Sequence, residues 1–169
     1  MQHGMASAGI GVYMMEIARM ERTLGRTPGF VARVFTPGER DYCGRGARPA
    51  AGYAALFAAR GAVLKALGVD FGRGVGLRDV SVAYDESGRP RAMLAGGAAQ
   101  AAEGQGVREI ALSLSLTHDV AVANAVAVTD EVRPKVEEKK DPEAELRDTF
   151  RAARTVLGEL EQYQQSPMK

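Results

Sequence analysis

His118 and Asp119 are the only place in this 169-residue chain where an imidazole and a carboxylate are sequence neighbours. Such a pair suits acid-base chemistry at neutral pH. With the phenol of Tyr13 it forms one candidate set, and a solvated loop histidine is the plain alternative. The other histidine, His3, stands near the N-terminus and is expected to be incidental. The lone cysteine, Cys43, has no histidine nearby in sequence, so it reads as a small buried hydrophobe rather than a nucleophile. Gly72 to Gly76 (GRGVG) lacks both the GK[ST] ending and the GxGxxG spacing of phosphate loops, which leaves a connector. Arg19, Arg22 and Arg26 stand three and four residues apart and can share one helical face, either solvated or used for docking.

The elements that would position these groups follow from the apolar spacing. Pro49 to Gly68 carries Tyr53, Leu56/Phe57, Leu64 and Leu67 at helical intervals, with Pro49 suited to the first turn and Gly68 to the residue past the end. Gly61 falls mid-helix, where glycine costs about 1 kcal/mol relative to alanine. Gly9 to Ile17 reads as a strand entering a helix that continues through Leu24. Thr36, Pro37 and Glu39 spell a capping box, which places Cys43 on a helix. Val80–Tyr84 and Ala92–Leu94 flank the turn residues 85–90 as a hairpin. Ala95–Gly106 is a weak helix, and Ile110–Ser115 and Val120–Val128 are rich in β-branched residues and read as a closing strand pair.

Several of these segments together resemble the holo-acyl-carrier-protein synthases, the small trimeric 4'-phosphopantetheinyl transferases. Leu56-Phe57-Ala58-Ala59-Arg60-Gly61-Ala62-Val63-Leu64-Lys65-Ala66-Leu67-Gly68 is similar to their central-helix pattern RFAAKEAxxKAxG. Gly9–Ile17 resembles the opening GIGxDxxEI, the Thr36-Pro37 segment a T-P-x-E helix start, residues 85–90 a DxxGxP turn, and Ser113–Thr117 the motif SLSHT. Three positions depart from those patterns. Tyr13 and Gly61 stand where the family has its two magnesium-binding carboxylates, and Leu116 stands at the histidine beside the coenzyme A phosphates. His118, two residues on, is a candidate replacement for it.

The resemblance implies an α+β fold, with a small antiparallel sheet packed on a long central helix, over residues 8–130. It implies a homotrimer with sites between subunits. Lys65 takes the place of the lysine that faces the phosphates, Arg60 keeps a positive charge beside position 61, and Ser113, Ser115 and Thr117 keep the hydroxyls of the ligand-binding set. The basic face of Arg19, Arg22 and Arg26 becomes the surface that docks an acyl carrier protein. Removing general-base assistance alone costs about 10²–10⁴ in rate, and metal loss adds to the barrier. The leading expectation is therefore a catalytically degenerate binder of an acyl carrier protein or a partner synthase in fatty-acid or polyketide biosynthesis. No cofactor is expected for it, since magnesium and coenzyme A apply only if transfer is retained. The alternatives are an active transferase with a rebuilt site, acid-base chemistry on a carrier-bound acyl chain (dehydration, isomerisation or cyclisation), and a structural scaffold.

Composition fits one core and an appendage. The chain is 46% hydrophobic with a formal charge of +1, which gives no global attraction to nucleic acid or membrane. No apolar run approaches the roughly 18 residues of a membrane span. One cysteine excludes an internal disulfide, and the N-terminus lacks a basic segment followed by an apolar one, so the chain reads as cytoplasmic. Residues 1–7 read as a disordered lead-in, 131–142 as a charged linker, and 143–164 as an amphipathic helix with Leu146, Phe150, Ala153, Leu157, Leu160 and Tyr163 on one side, packed on self or partner.

Overall fold

The helix predicted from Pro49 is the axis of the fold in the computed structural model, which describes residues 9–130. The lead-in, the linker and the C-terminal amphipathic helix lie outside the described residues.

In chain order the elements are β1 (Gly9–Glu16), α1 (Ile17–Arg26), α2 (Phe30–Val34), α3 (Pro37–Arg45), α4 (Pro49–Ala66), β2 (Val80–Tyr84), β3 (Pro90–Leu94), α5 (Gly96–Gly104), β4 (Val107–Leu116) and β5 (Val120–Thr129). The strands form a three-stranded antiparallel sheet, ordered β1-β5-β4, and the separate β2-β3 hairpin. This is the α+β architecture expected. The hairpin's second strand begins two residues earlier than the sequence suggests, because Pro90 pairs with Tyr84 and a proline is tolerated at a strand's first residue.

Helix α4 is buried around its circumference rather than along a stripe: Ala54, Leu56, Ala58, Ala59, Ala62 and Val63 are fully enclosed. Its alanines allow that, since small side chains let neighbouring backbones come close. The sheet exploits this from the other side. Ala121, Ala123, Ala125 and Ala127 of β5 face α4 and are buried, and β1 contributes Gly9 and Gly11. A Cβ at Gly11 would lie 2.6 Å from the Ala66 nitrogen and 2.9 Å from the Ala62 carbonyl carbon, so strand and helix touch through their backbones. The helix ends as predicted. Gly68 adopts φ +65°, the Gly68 N–H donates to the Lys65 carbonyl (3.1 Å), and the Val69 N–H donates to that of Leu64 (3.0 Å), which satisfies two otherwise orphan carbonyls.

The opposite face of the sheet is open. Ile10, Val12 and Met14 alternate outward from β1 with exposures of 68%, 47% and 66%, an apolar row with nothing from the described residues over it.

Candidate functional site

Residues 57, 61 and 65 lie four apart on α4 and form one ridge beneath the middle of β1. Tyr13 descends from β1 onto that ridge. Its ring meets Phe57 edge-on, with centroids 6.2 Å apart, and lies flat in the space above Gly61. A Cβ added at Gly61 would be no more than 2.7 Å from the Tyr13 ring atoms Cγ, Cδ2 and Cε2. Lys65 completes the stack. Its Nζ stands 5.2 Å from the Tyr13 centroid and donates to the Val12 carbonyl at 3.0 Å, with the ammonium still exposed. The mid-helix glycine that propensity could not account for is thus explained by contact, because the aromatic ring uses the volume a side chain at 61 would need.

This arrangement bears on the magnesium that the family implies. Magnesium takes near-octahedral oxygen ligands, chiefly carboxylates, phosphates and water. Here position 61 has no side chain, position 13 presents an aromatic ring, and an ammonium stands over that ring. Among the described residues no three His, Cys, Asp or Glu side chains cluster as metal ligands. The residues do not fit the ion.

Other candidates are not brought to this stack. Leu116 ends β4 opposite Ala121, whereas Tyr13 is opposite Ala123, and β5 lies between β4 and β1. Two strand spacings separate them, roughly 10 Å. Leu116 instead borders a cleft with Tyr42, Cys43, Arg48, Ala51 and Gly52.

His118 and Asp119 sit in the β4–β5 turn, with Nδ1 2.8 Å from Oδ1 and side chains 89% and 84% exposed. The Asp119 carbonyl accepts from the Ile17 N–H, which puts the turn at the start of α1, roughly 13 Å of strand from Tyr13. Tyr13, His118 and Asp119 therefore do not make one acid-base site within a chain. The β4–β5 turn takes His118 off the strand, so it cannot share the face of Leu116 by strand alternation. Ser113 and Ser115 are exposed on the sheet face away from α4. The Thr117 hydroxyl is engaged by the turn, accepting from the Val120 and Asp119 N–H groups at 3.0 and 3.3 Å.

Arg60 requires a correction. It was expected to present charge to a ligand, yet it is fully buried. Its guanidinium donates to Glu39 Oε2 (2.5 Å) and to the carbonyls of Leu56, Val34 and Leu77, and stacks 4.8 Å from the Phe35 centroid. Glu39 was foreseen only as the capping-box acid, and it does receive the Thr36 N–H at 2.8 Å. Its other oxygen receives the Val82 N–H at 2.9 Å, so one carboxylate ties α3, α4 and β2 together. An arginine inside the most apolar helix was the available signal, since a buried cation needs a counter-charge.

Cys43 is buried as expected. Burial, with the Glu39 carboxylate nearby, pushes its thiol up to about 11. The glycine-rich segment at 72–76 is a connector, held by Asp79, whose Oδ2 receives the Gly76 and Gly97 N–H groups at 3.0 and 2.8 Å. Arg19, Arg22 and Arg26 are all exposed on α1, and among the described residues none forms an ion pair. No helix among those residues is long and apolar enough to cross a membrane.

The described fold coincides with known proteins over nearly its whole extent. Residues 9–123 match the family model described as the 4'-phosphopantetheinyl transferase superfamily. The chain is 46% identical to a holo-[acyl-carrier-protein] synthase of Moorella thermoacetica over 116 residues, 69% of this chain and 90% of that protein. A second such synthase, from Clavibacter michiganensis, is 43% identical over 122 residues, 72% of this chain and 94% of its own length. Among solved structures, the holo-[acyl-carrier-protein] synthase of Neisseria meningitidis superposes with a TM-score of 0.64 at 28% identity, covering 72% of this chain and 98% of that one.

These similarities overturn the expectation of a degenerate carrier-protein binder. That expectation rested on the three departures at Tyr13, Gly61 and Leu116, whereas the likeness to synthases spans almost their full length and two of the three positions are packed against each other. They favour its alternative, a transferase with a rebuilt site. The chain belongs to the 4'-phosphopantetheinyl transferase superfamily, within the family of holo-[acyl-carrier-protein] synthases.

Proposed function

We propose that this chain transfers 4'-phosphopantetheine from coenzyme A to an acyl carrier protein that serves fatty-acid biosynthesis. The observation that carries the reading is the similarity to synthases of that activity across 90% or more of their length. In the reaction the carrier-protein serine oxygen attacks the phosphorus that bears pantetheine. A new O–P bond forms, the pyrophosphate bridge breaks, 3',5'-ADP leaves with the bond's electrons, and the serine proton is released. Such a transition state is stabilised almost wholly by positioning and by cations on the phosphate oxygens.

Lys65 is the chain's contribution at this stack. One of its three donors is committed to Val12, and two remain for phosphate oxygens. The Tyr13 ring faces its ammonium, with Nζ 5.2 Å from the ring centroid. Arg19, Arg22 and Arg26 offer the exposed basic surface for the carrier protein. A homotrimer is part of the same proposal. The open apolar row of Ile10, Val12 and Met14 supports it, as does the separation of Leu116 from Tyr13 within one chain, which leaves room for a neighbouring subunit to bring the two kinds of position together.

The test is the mass of an apo acyl carrier protein incubated with coenzyme A and the purified full chain. A gain equal to phosphopantetheine supports the reading. An unchanged carrier, under conditions where the Moorella synthase converts it, overturns it.

A further inference from the structure

We infer that Lys65 takes the place of a divalent cation at this site, so that coenzyme A is held, and its pyrophosphate neutralised, without one. The inference rests on the transferase reading above and concerns how that same site compensates charge. Three observations carry it. The Tyr13 ring fills the space from which a residue-61 carboxylate would have to reach a metal. No cluster of three ligand-type side chains exists among the described residues to hold an ion elsewhere. And a cation is already fixed at the stack, with Lys65 Nζ pinned between the Tyr13 face and the Val12 carbonyl and open to solvent.

A cation over an aromatic face is oriented by the ring's negative quadrupole, which restricts where a flexible lysine points before ligand arrives. That ordering lowers the entropy lost on binding.

The test is coenzyme A binding to the full chain by calorimetry, in magnesium and in EDTA, with electron paramagnetic resonance of added Mn²⁺ reporting any ion the protein holds. Equal affinity in both buffers and no protein-bound Mn²⁺ are expected. Lys65→Met should weaken coenzyme A by about tenfold or more, the size of one charge-assisted hydrogen bond, and Lys65→Arg should retain most of it. Tyr13→Asp with Gly61→Glu should make binding sensitive to EDTA and introduce a Mn²⁺ signal. Binding lost in EDTA, stoichiometric Mn²⁺ on the wild-type chain, undiminished affinity in Lys65→Met, or no binding in either buffer would each overturn the inference. Carrier-protein mass read in parallel separates the two claims. Coenzyme A bound equally in both buffers with an unmodified carrier removes the transferase reading alone, and a carrier modified only in magnesium removes the inference alone.

Discussion

The ring of Tyr13, on an edge strand, occupies the volume into which a side chain at Gly61, on the central helix, would project. Neither residue is unusual by itself. Together they form a repacked contact in which the loss of one side chain makes room for another, and Lys65 lies over the outcome.

The contact predicts coupling. Gly61→Ala should gain about 1 kcal/mol of helix propensity, yet its methyl would strike three ring carbons, and overpacking of a filled site costs about 1–3 kcal/mol. In the wild-type background the change should therefore be neutral or destabilising. With Tyr13→Ala the ring is gone, and Gly61→Ala should stabilise by about 1 kcal/mol. Urea denaturation of the two single variants and the double variant gives the interaction energy, expected within the 0.5–3 kcal/mol range of residues in contact. Additive effects would show that the ring is free to move aside.

The buried pair of Arg60 and Glu39 predicts a larger effect. Arg60→Met removes the cation and leaves the Glu39 carboxylate enclosed with only backbone N–H groups and the Thr36 hydroxyl, so the loss should be about 3–5 kcal/mol. Glu39→Ala should cost a similar amount, because it also strips the Thr36 and Val82 N–H groups of their acceptor. The double variant should cost less than the sum of the two. Thermal unfolding distinguishes these from a surface ion pair such as Arg108–Asp130, whose loss should be nearly silent.

The frame of the fold was legible because its signals are local. Pro49 and Gly68 bracket α4, Thr36 and Glu39 open α3, and the turn chemistry of residues 85–90 gives the hairpin. The site was legible as a set of positions and not as an arrangement. Arg60 looked like a surface cation because sequence spacing cannot tell a helix buried on all sides from one buried on a stripe. Its partner Glu39 is twenty-one positions away, on another helix. Likewise Tyr13 and Gly61 read as two separate losses, since nothing in the chain order brings residue 13 onto residue 61. The backbone contact of Gly9 and Gly11 with α4 does so, by setting β1 low enough for the Tyr13 ring to reach the helix.

Cys43 provides a pH prediction. Its thiol sits near 9.0 when exposed and is pushed up to about 11 in the fold. The folded state thus binds the proton more tightly. The stability it confers is complete below pH 9 and is lost as pH rises through 11. Denaturation midpoints of the wild type should fall over that window more steeply than those of Cys43→Ala. In the folded protein at neutral pH the thiol should also resist iodoacetamide, and react promptly once urea unfolds the chain. Rapid labelling without denaturant would mean that α3 opens on the labelling timescale.

The basic face of α1 predicts how the carrier protein is recognised. Arg19 and Arg22 are exposed and, among the described residues, form no ion pair, so their field is available to an acidic partner at little desolvation cost. Charges of this kind act across water and are screened over about 10 Å at 0.1 M salt. Arg19→Glu with Arg22→Glu should therefore raise the KM for the carrier protein, chiefly by slowing association, and flatten the rise of KM with added salt. Coenzyme A binding should stay as in the wild type, because the face belongs to α1 while the Tyr13–Gly61–Lys65 stack is built on β1 and α4. Steady-state kinetics with carrier protein varied at two or more salt concentrations, alongside coenzyme A calorimetry, reads both quantities. A KM that keeps its full salt dependence after the double reversal would move carrier docking to another surface, and a parallel loss of coenzyme A affinity would mean that α1 lies closer to the phosphates than the stack implies.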